Sequence, residues 1–353
     1  MLKARKAVQQ LSDFVSPVLP GAGLRLDLNE NTGGCSPRVL EKLRELRAED
    51  VWRYPDRSVG ERLVAKWLGL HPEQVLLCNG VDEGLHLLCE TFLEPEDEVL
   101  FSVPTFTMYP IYAAATGAAV VTVPAKSTFA YPTEELIERI NPRTRLIAIA
   151  NPNNPTGTTV PRADLLRIIA AAPDAAVVVD EAYFEFYGET LLDRLPTYEN
   201  LVVARTFSKA YGLAGMRLGV LAGNAAQIEM VRRVSSPFNL NGPALACLPV
   251  ALEDQDFVRN YVTQVREGRE QVRAFLLERG FRCWPSQANF VLAELGAARV
   301  RCLEELARTG VLVRDRDRDP GCAGCVRITI GTREQTQRLL SALGAALCTT
   351  PGS

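Results

Sequence analysis

Hydrophobic positions along the chain fall into short unbroken runs, each cut off by a polar or Gly/Pro-rich stretch. The runs are Val75–Cys78, Glu98–Val103, Ala119–Val123, Leu146–Ala150, Ala176–Asp180, Leu201–Thr206 and Leu218–Leu221. Several are apolar at every position, which suits strands covered on both faces rather than strands with one wet face. Stretches with helical spacing lie between them, among them Asp82–Phe92, Thr133–Ile140 and Ala163–Ala171. Strand alternating with helix predicts an α/β domain around a mainly parallel sheet.

After about residue 245 the texture changes. Long amphipathic stretches (Asp254–Arg279, Arg299–Thr309) alternate with strand-like Asn289–Glu294 and Cys325–Ile330. This predicts a smaller α+β domain, residues 246–353 completed by residues 1–44, beside a large domain of residues 45–245. A chain of 353 residues exceeds the usual single core, so two domains are also the expectation from length.

Composition narrows the function classes. A net charge of −3 gives no electrostatic footprint for nucleic acid or an anionic membrane. No stretch approaches the roughly 20 apolar residues of a membrane span. The charged start, Met1-Leu2-Lys3-Ala4-Arg5-Lys6, has no apolar core behind it, so the expectation is a cytoplasmic protein without a secretory signal. The run Arg314-Asp315-Arg316-Asp317-Arg318-Asp319 reads most simply as a solvated loop. Of nine cysteines only Cys322 and Cys325 make a CxxC, with no second pair at zinc spacing, so no metal site is expected and that loop should carry free thiols. With only His71 and His86 present, Ser-His-Asp or His-metal chemistry has little raw material. Acid–base work falls to Lys, Tyr, Asp or Glu.

Unusual polar residues gather where strands end, and in an open parallel sheet ligands bind beyond the carboxyl ends of the strands. Ala176–Val179 is followed by Asp180-Glu181-Ala182-Tyr183; Leu201–Ala204 gives way to Arg205-Thr206-Phe207-Ser208-Lys209. Leu146–Ala150 runs into Asn151-Pro152-Asn153-Asn154-Pro155-Thr156-Gly157, a rigid turn. Lys209 is the sharpest feature. The chain has 6 lysines against 33 arginines, so its surface cations are usually Arg. Lys209 is followed by the small, apolar Ala210-Tyr211-Gly212-Leu213-Ala214-Gly215. Partial burial lowers an amine's pKa and frees it as a nucleophile, a role arginine cannot fill.

On these residues the chain resembles the fold-type I enzymes that use pyridoxal phosphate (PLP). Thr206-Phe207-Ser208-Lys209 with Arg217, Asn151–Gly157, Val179–Tyr183 and Arg327-Ile328-Thr329-Ile330-Gly331 stand in the right order. Within that group it is most similar to the histidinol-phosphate aminotransferases, through Asp27-Leu28-Asn29-Glu30-Asn31, Arg53-Tyr54-Pro55-Asp56, Asp82-Glu83, Pro104–Tyr109 and Asp180–Phe186. The likeness runs from about residue 11 to about residue 345.

The resemblance implies a seven-stranded PLP-binding domain with a smaller α+β domain, and a role for each matching residue. Lys209 would join the cofactor's aldehyde and later carry the proton between carbons. Asp180 would face the pyridine nitrogen and keep it protonated. Tyr183 and Asn154 would hydrogen-bond the ring oxygen O3′, and Phe106 would stack on the ring. The N–H groups of Val81 and Asp82 at a helix start would take the phosphate, with Arg217, Thr206 and Ser208. Tyr54 would reach the phosphate of a neighbouring subunit, implying a homodimer. Arg327 would receive the substrate's α-carboxylate, with Arg314 and Asn29 as further contacts. In one place the pattern breaks: the family's Pro-Tyr-x-Pro-Gly, whose tyrosine lies near the substrate phosphate, reads Pro17-Val18-Leu19-Pro20-Gly21 here.

Three activities share this framework: transfer from glutamate to imidazole-acetol phosphate, the same chemistry on phenylalanine or tyrosine, and threonine-phosphate decarboxylation. The density of motif matches favours the first, and Val18 leans to the second. A PLP-sensing transcription regulator would need a DNA-binding domain ahead of Arg53-Tyr54-Pro55, where fewer than about 50 residues stand.

Overall fold

In the computed structural model, which describes residues 2–9, 11 and 23–348, the apolar runs become strands of two sheets. β1 (Leu24–Leu26) comes first and belongs to the smaller sheet. The next seven build the larger one: β2 (Val75–Asn79), β3 (Glu98–Val103), β4 (Ala119–Pro124), β5 (Thr144–Ala150), β6 (Ala176–Asp180), β7 (Leu201–Thr206) and β8 (Leu218–Gly223). Their order is β2-β8-β7-β6-β5-β3-β4. The block β7 to β4 is parallel, and β8 runs against both its neighbours. Finally β9 (Arg282–Cys283), β10 (Phe290–Glu294), β11 (Val311–Asp315) and β12 (Cys325–Thr329) join β1 in the order β1-β11-β12-β10-β9.

The central strand β6 shows why the runs are unbroken. Val178 packs into a core cluster with Leu85, Leu88 and Tyr109 on one face, while Val177 and Val179 join Leu165, Ile168 and Ile169 on the other. The first cluster takes side chains from helices Gly80–Phe92 and Met108–Thr116, the second from helix Arg162–Ala171. β-Branched side chains suit such a strand, and burying each valine contributes about 1.5–3 kcal/mol. That packing holds the strand's last residue, Asp180, in place although it is a buried acid.

Some elements differ from the sequence reading. The helix from Thr133 stops at Ile137 rather than Ile140, and single turns carry the chain on to Asn141-Pro142. A residue ahead of proline is pushed out of helical geometry, so the chain unwinds before it. Helix Met108–Thr116 was hidden by Pro110 and a run of alanines; the proline sits in the first turn, where its missing N–H is not needed. The run Arg314–Asp319 is not a solvated loop: Arg314 and Asp315 end β11, and Arg316 is buried. Its acids are tied to arginines, Asp315 and Asp317 to Arg299 and Asp319 to Arg316. Cys322 and Cys325 are free and buried with Phe129, Trp284 and Leu292, which seats the loop on apolar packing. Among the described residues no helix is long and apolar enough to cross a membrane.

Candidate active site

β5, β6 and β7 run side by side with Ala150, Asp180 and Ala204 in register. The turns that follow them therefore open on one edge of the sheet. A cavity of about 1040 Å³ lies there, lined on one side by that edge and on the other by residues of β11, β12 and the turn between them. Asp180 and Lys209 line the part beside the larger sheet, its inner part; Arg314, Arg316 and Arg327 line the part beside the smaller sheet, its outer part.

Asp180 is the strongest titratable feature of the inner part. One carboxylate oxygen accepts a hydrogen bond from the Tyr109 hydroxyl at 2.9 Å, and the other accepts from the Ala182 N–H at 3.0 Å. Burial pushes the acid up to about 6, and these two donors hold it back from rising further. Each oxygen keeps a lone pair for a cationic N–H, which would return the group to an ordinary carboxylate. Tyr183, three residues on, accepts at its hydroxyl from Asn29 Nδ2 at 2.9 Å. That orientation is fixed by a third residue. Thr329 Oγ1 accepts from the Asn29 N–H, so its own proton goes to Asn29 Oδ1, turning Nδ2 toward Tyr183. The Tyr183 proton is left to donate into the cavity.

Lys209 sits in the turn after β7. The turn is closed by Phe207 N–H to Leu218 O at 3.0 Å and Leu213 N–H to Phe207 O at 3.1 Å. Its Nζ donates to the Leu28 carbonyl at 3.2 Å, a neutral partner. Burial, with Arg327 nearby, lowers the amine to about 8. A larger share of it is then neutral near pH 7.4 than of an ordinary lysine.

At the start of helix Gly80–Phe92 two positions need to lack a side chain. A Cβ on Gly80, at φ +77°, would stand 2.5 Å from Arg217 Nη2, and one on Gly219 would stand 2.5 Å from the Val81 nitrogen. Two glycines thus bring the Arg217 guanidinium and the helix's first N–H groups, which have no helical partner, to one spot. Arg217 itself is held in the left-handed region at φ 54° and pairs with Asp82 at 2.8 Å. Ser208 and Thr206 line the same part of the cavity; the Thr206 hydroxyl is already engaged by the Ser208 N–H and the Leu218 carbonyl. This is an anion cradle.

The outer part is basic. Arg327 on β12 donates to Asn154 Oδ1 and to the Asp27 carbonyl, both at 2.6 Å, and its buried Nε has no partner. A guanidinium can only donate, so Asn154 must turn its NH₂ toward the cavity. Burial lowers Arg327 to about 10, and it stays cationic at neutral pH. Arg314 stands directly across the ladder from Arg327. Like charges facing each other across strands cost stability, so the pair makes sense as a receptor for anions.

Thus the structure brings Asp180, Tyr183, Lys209, Asn154, Phe106, Val81, Asp82, Thr206, Ser208, Arg217, Arg314, Arg327 and Asn29 to one cavity. Asn29 has both side-chain ends engaged within the protein, so its geometry is that of a support for Tyr183 rather than a free ligand contact. Tyr54 is not brought there by its own chain: it is 78 % exposed and stacks on Phe238 at 4.3 Å between ring centres. Val18 lies outside the described residues. Sequence reasoning missed the roles of Tyr109 and Thr329, although both lie inside quoted motifs; only the fold shows where their hydroxyls point. It also missed Arg316, hidden in an alternating charge run.

PLP fits what is present: a low-pKa amine for its aldehyde, a buried acid for its pyridine nitrogen, two donors for its ring oxygen, and a glycine-lined cradle for its phosphate. The comparisons agree. The sequence profile of the family "Aminotransferase class I and II" matches residues 22–343, and the chain belongs to that family. It is a PLP-dependent aminotransferase.

Among individual proteins it is 38 % identical to "Histidinol-phosphate aminotransferase 2" of Methylococcus capsulatus, over 92 % of this chain and 90 % of that one. It is 36 % identical to the histidinol-phosphate aminotransferase of a Geobacillus species, over 91 % and 89 %. The crystal structure of the Sinorhizobium meliloti histidinol-phosphate aminotransferase in complex with PLP superposes with a TM-score of 0.89, at 25 % identity, covering 98 % and 97 %. L-threonine-O-3-phosphate decarboxylase of Porphyromonas gingivalis, at 23 % identity and a TM-score of 0.78, shares the fold.

Proposed function

We propose that this aminotransferase moves an amino group between glutamate and imidazole-acetol phosphate, forming histidinol phosphate and 2-oxoglutarate. The observation that carries the reading is the pair Arg314 and Arg327, register partners on β11 and β12 that both line the outer cavity. Both amino donors end in an anion remote from the amine, a phosphate in one and a carboxylate in the other. Two neighbouring guanidiniums suit such anions, and the names of the relatives point to histidinol phosphate.

Bound PLP supplies an electron sink for the charge left when the α-proton departs. The chain's residues do the rest. Lys209 Nζ, with its lowered pKa, would take up that proton and later return it. The Asp180 carboxylate would keep the ring nitrogen protonated, with Tyr109 fixing the carboxylate's angle. Tyr183 and the Asn154 amide would donate to the ring oxygen, and Phe106 would cover the ring. Arg217 and the N–H groups of Val81 and Asp82 would anchor the phosphate, with the Ser208 and Thr206 hydroxyls beside them. Arg327 would receive the α-carboxylate of glutamate, and Arg314 the distal anion. On this reading residues 45–245 form the cofactor-carrying domain, and residues 1–44 with 246–353 form the smaller one.

We also propose a homodimer in which Tyr54 serves the partner's phosphate cradle. Its support is a set of large apolar side chains left exposed, Val51, Trp52, Tyr54, Val59 and Phe238, with Tyr54 stacked on Phe238. A cytoplasmic setting, with small-molecule donors and acceptors and neither nucleic acid nor membrane as partner, completes the reading.

The test is a panel of single-turnover half-reactions. Holoenzyme is mixed separately with histidinol phosphate, glutamate, phenylalanine, tyrosine and threonine phosphate, and loss of the cofactor's visible band is followed. Fast conversion by histidinol phosphate and glutamate is the expected result. A preference for phenylalanine or tyrosine, or carbon dioxide release from threonine phosphate, would replace the proposal with one of the other two activities.

A further inference from the structure

One cavity has to accept two donors whose remote groups differ in charge: a phosphate monoester near −2 and a carboxylate at −1. Arg314 and Arg327 alone do not distinguish them, since both are present for either. A third guanidinium lines the same part of the cavity. Arg316 is 8 % exposed, its Nε is buried without a partner, and its one charged partner among the described residues is Asp319. Asp319 lines the cavity beside it.

Arg316 does not drift as a surface arginine would. Its own N–H continues the ladder to the Cys325 carbonyl at 3.0 Å, and the Asp319 N–H returns to the Arg316 carbonyl at 3.0 Å. The Gly324 N–H closes the loop on Asp317 at 2.7 Å, and Asp317 is in turn held by Arg299. The flanking acids, Asp315 and Asp317, are committed to Arg299 and do not neutralise Arg316. A preset cation with an unfilled donor, shielded by a single acid, is a binding group held in balance.

We propose that the Arg316–Asp319 pair sets the preference of the outer site for a doubly charged group. A dianion competes with Asp319 for Arg316 and takes its free donors; a carboxylate of lower charge leaves the internal pair closed. Arg316 is thus a specificity-determining residue for the phosphate-bearing donor, and Asp319 its internal counter-ion. The inference rests on the proposed substrate pair.

The experiment uses holoenzyme and reads half-saturation and limiting rate separately. In Arg316→Gln, half-saturation by histidinol phosphate should rise about tenfold or more, by glutamate less than about threefold, with limiting rates little changed. Arg316→Lys should recover most of the loss, and Asp319→Asn should shift the ratio further toward histidinol phosphate. Inorganic phosphate, tested as a competitive inhibitor of the glutamate half-reaction, provides a readout independent of substrate identity; its inhibition constant should rise about tenfold in Arg316→Gln. Equal changes for both donors, or an unchanged phosphate inhibition constant, overturn the inference. Wild-type enzyme that ignores histidinol phosphate overturns the substrate reading instead, and the phosphate inhibition still decides the role of Arg316.

Discussion

The two ends of the cavity are built on opposite electrostatic plans. At the inner end the ionisable groups are held by partners: Asp180 by Tyr109, Tyr183 by Asn29, Arg217 by Asp82. At the outer end charge is left over, with Arg314 facing Arg327 and only Asp319 against Arg316. An end whose ionisable groups are held by partners fixes protons and orientation, which is what a reacting centre needs. An end with surplus cations stores binding energy for a ligand that brings its own negative charge. The first should govern limiting rates whatever the substrate, the second half-saturation by anionic substrates.

Substitutions can break that division. Lys209→Ala is expected to lower turnover with every donor by about a thousandfold or more and to abolish the covalently bound cofactor's absorbance. Persistence of both after careful cofactor removal would end the assignment. Asp180→Asn should keep PLP bound, seen by its retention through gel filtration, and lose about a hundredfold or more in limiting rate for both donors alike. A near-normal rate would mean the acid is structural. At the outer end, Arg314→Gln should raise half-saturation by both donors about tenfold to a hundredfold while the limiting rate stays within about threefold. A loss of rate instead would merge the two ends into one. Smallest is Tyr109→Phe: with one donor gone, Asp180 rises further, so activity should drop about twofold to tenfold, most at the acid side of the pH profile.

Lys209 offers a pH test of the inner end. The neutral amine reacts with an aldehyde, and burial puts its titration near 8. The rate at which apoenzyme captures added PLP, followed by absorbance, should climb with pH through about 8 and level above it. A climb continuing past pH 10 would show an ordinary, water-exposed lysine.

The same contrast explains what the sequence revealed. The strands β3, β6 and β7 were legible to the residue because burial on both faces leaves their centres apolar, with polar residues only toward their ends. Asp180, Tyr183 and Lys209 were legible because they break such runs at the edge where ligands bind. Arg316 was not, since an alternation of Arg and Asp has the composition of a wet loop. What separates it from one is contact across the fold, Arg299 claiming two of the acids, and no local pattern records that. Tyr109 was hidden for a related reason: its hydroxyl meets an acid 71 positions away. The surplus charge of the outer end is therefore a property of the assembled rim, not of any segment in it.

Comparing histidinol phosphate with histidinol in the single-turnover half-reaction tests the central claim most directly, because the two donors differ only in the remote phosphate. The account predicts limiting rate over half-saturation at least about a hundredfold higher for the phosphate ester, most of it in half-saturation. Equal values for the two would contradict it, leaving the outer arginines without the ligand they are arranged to hold.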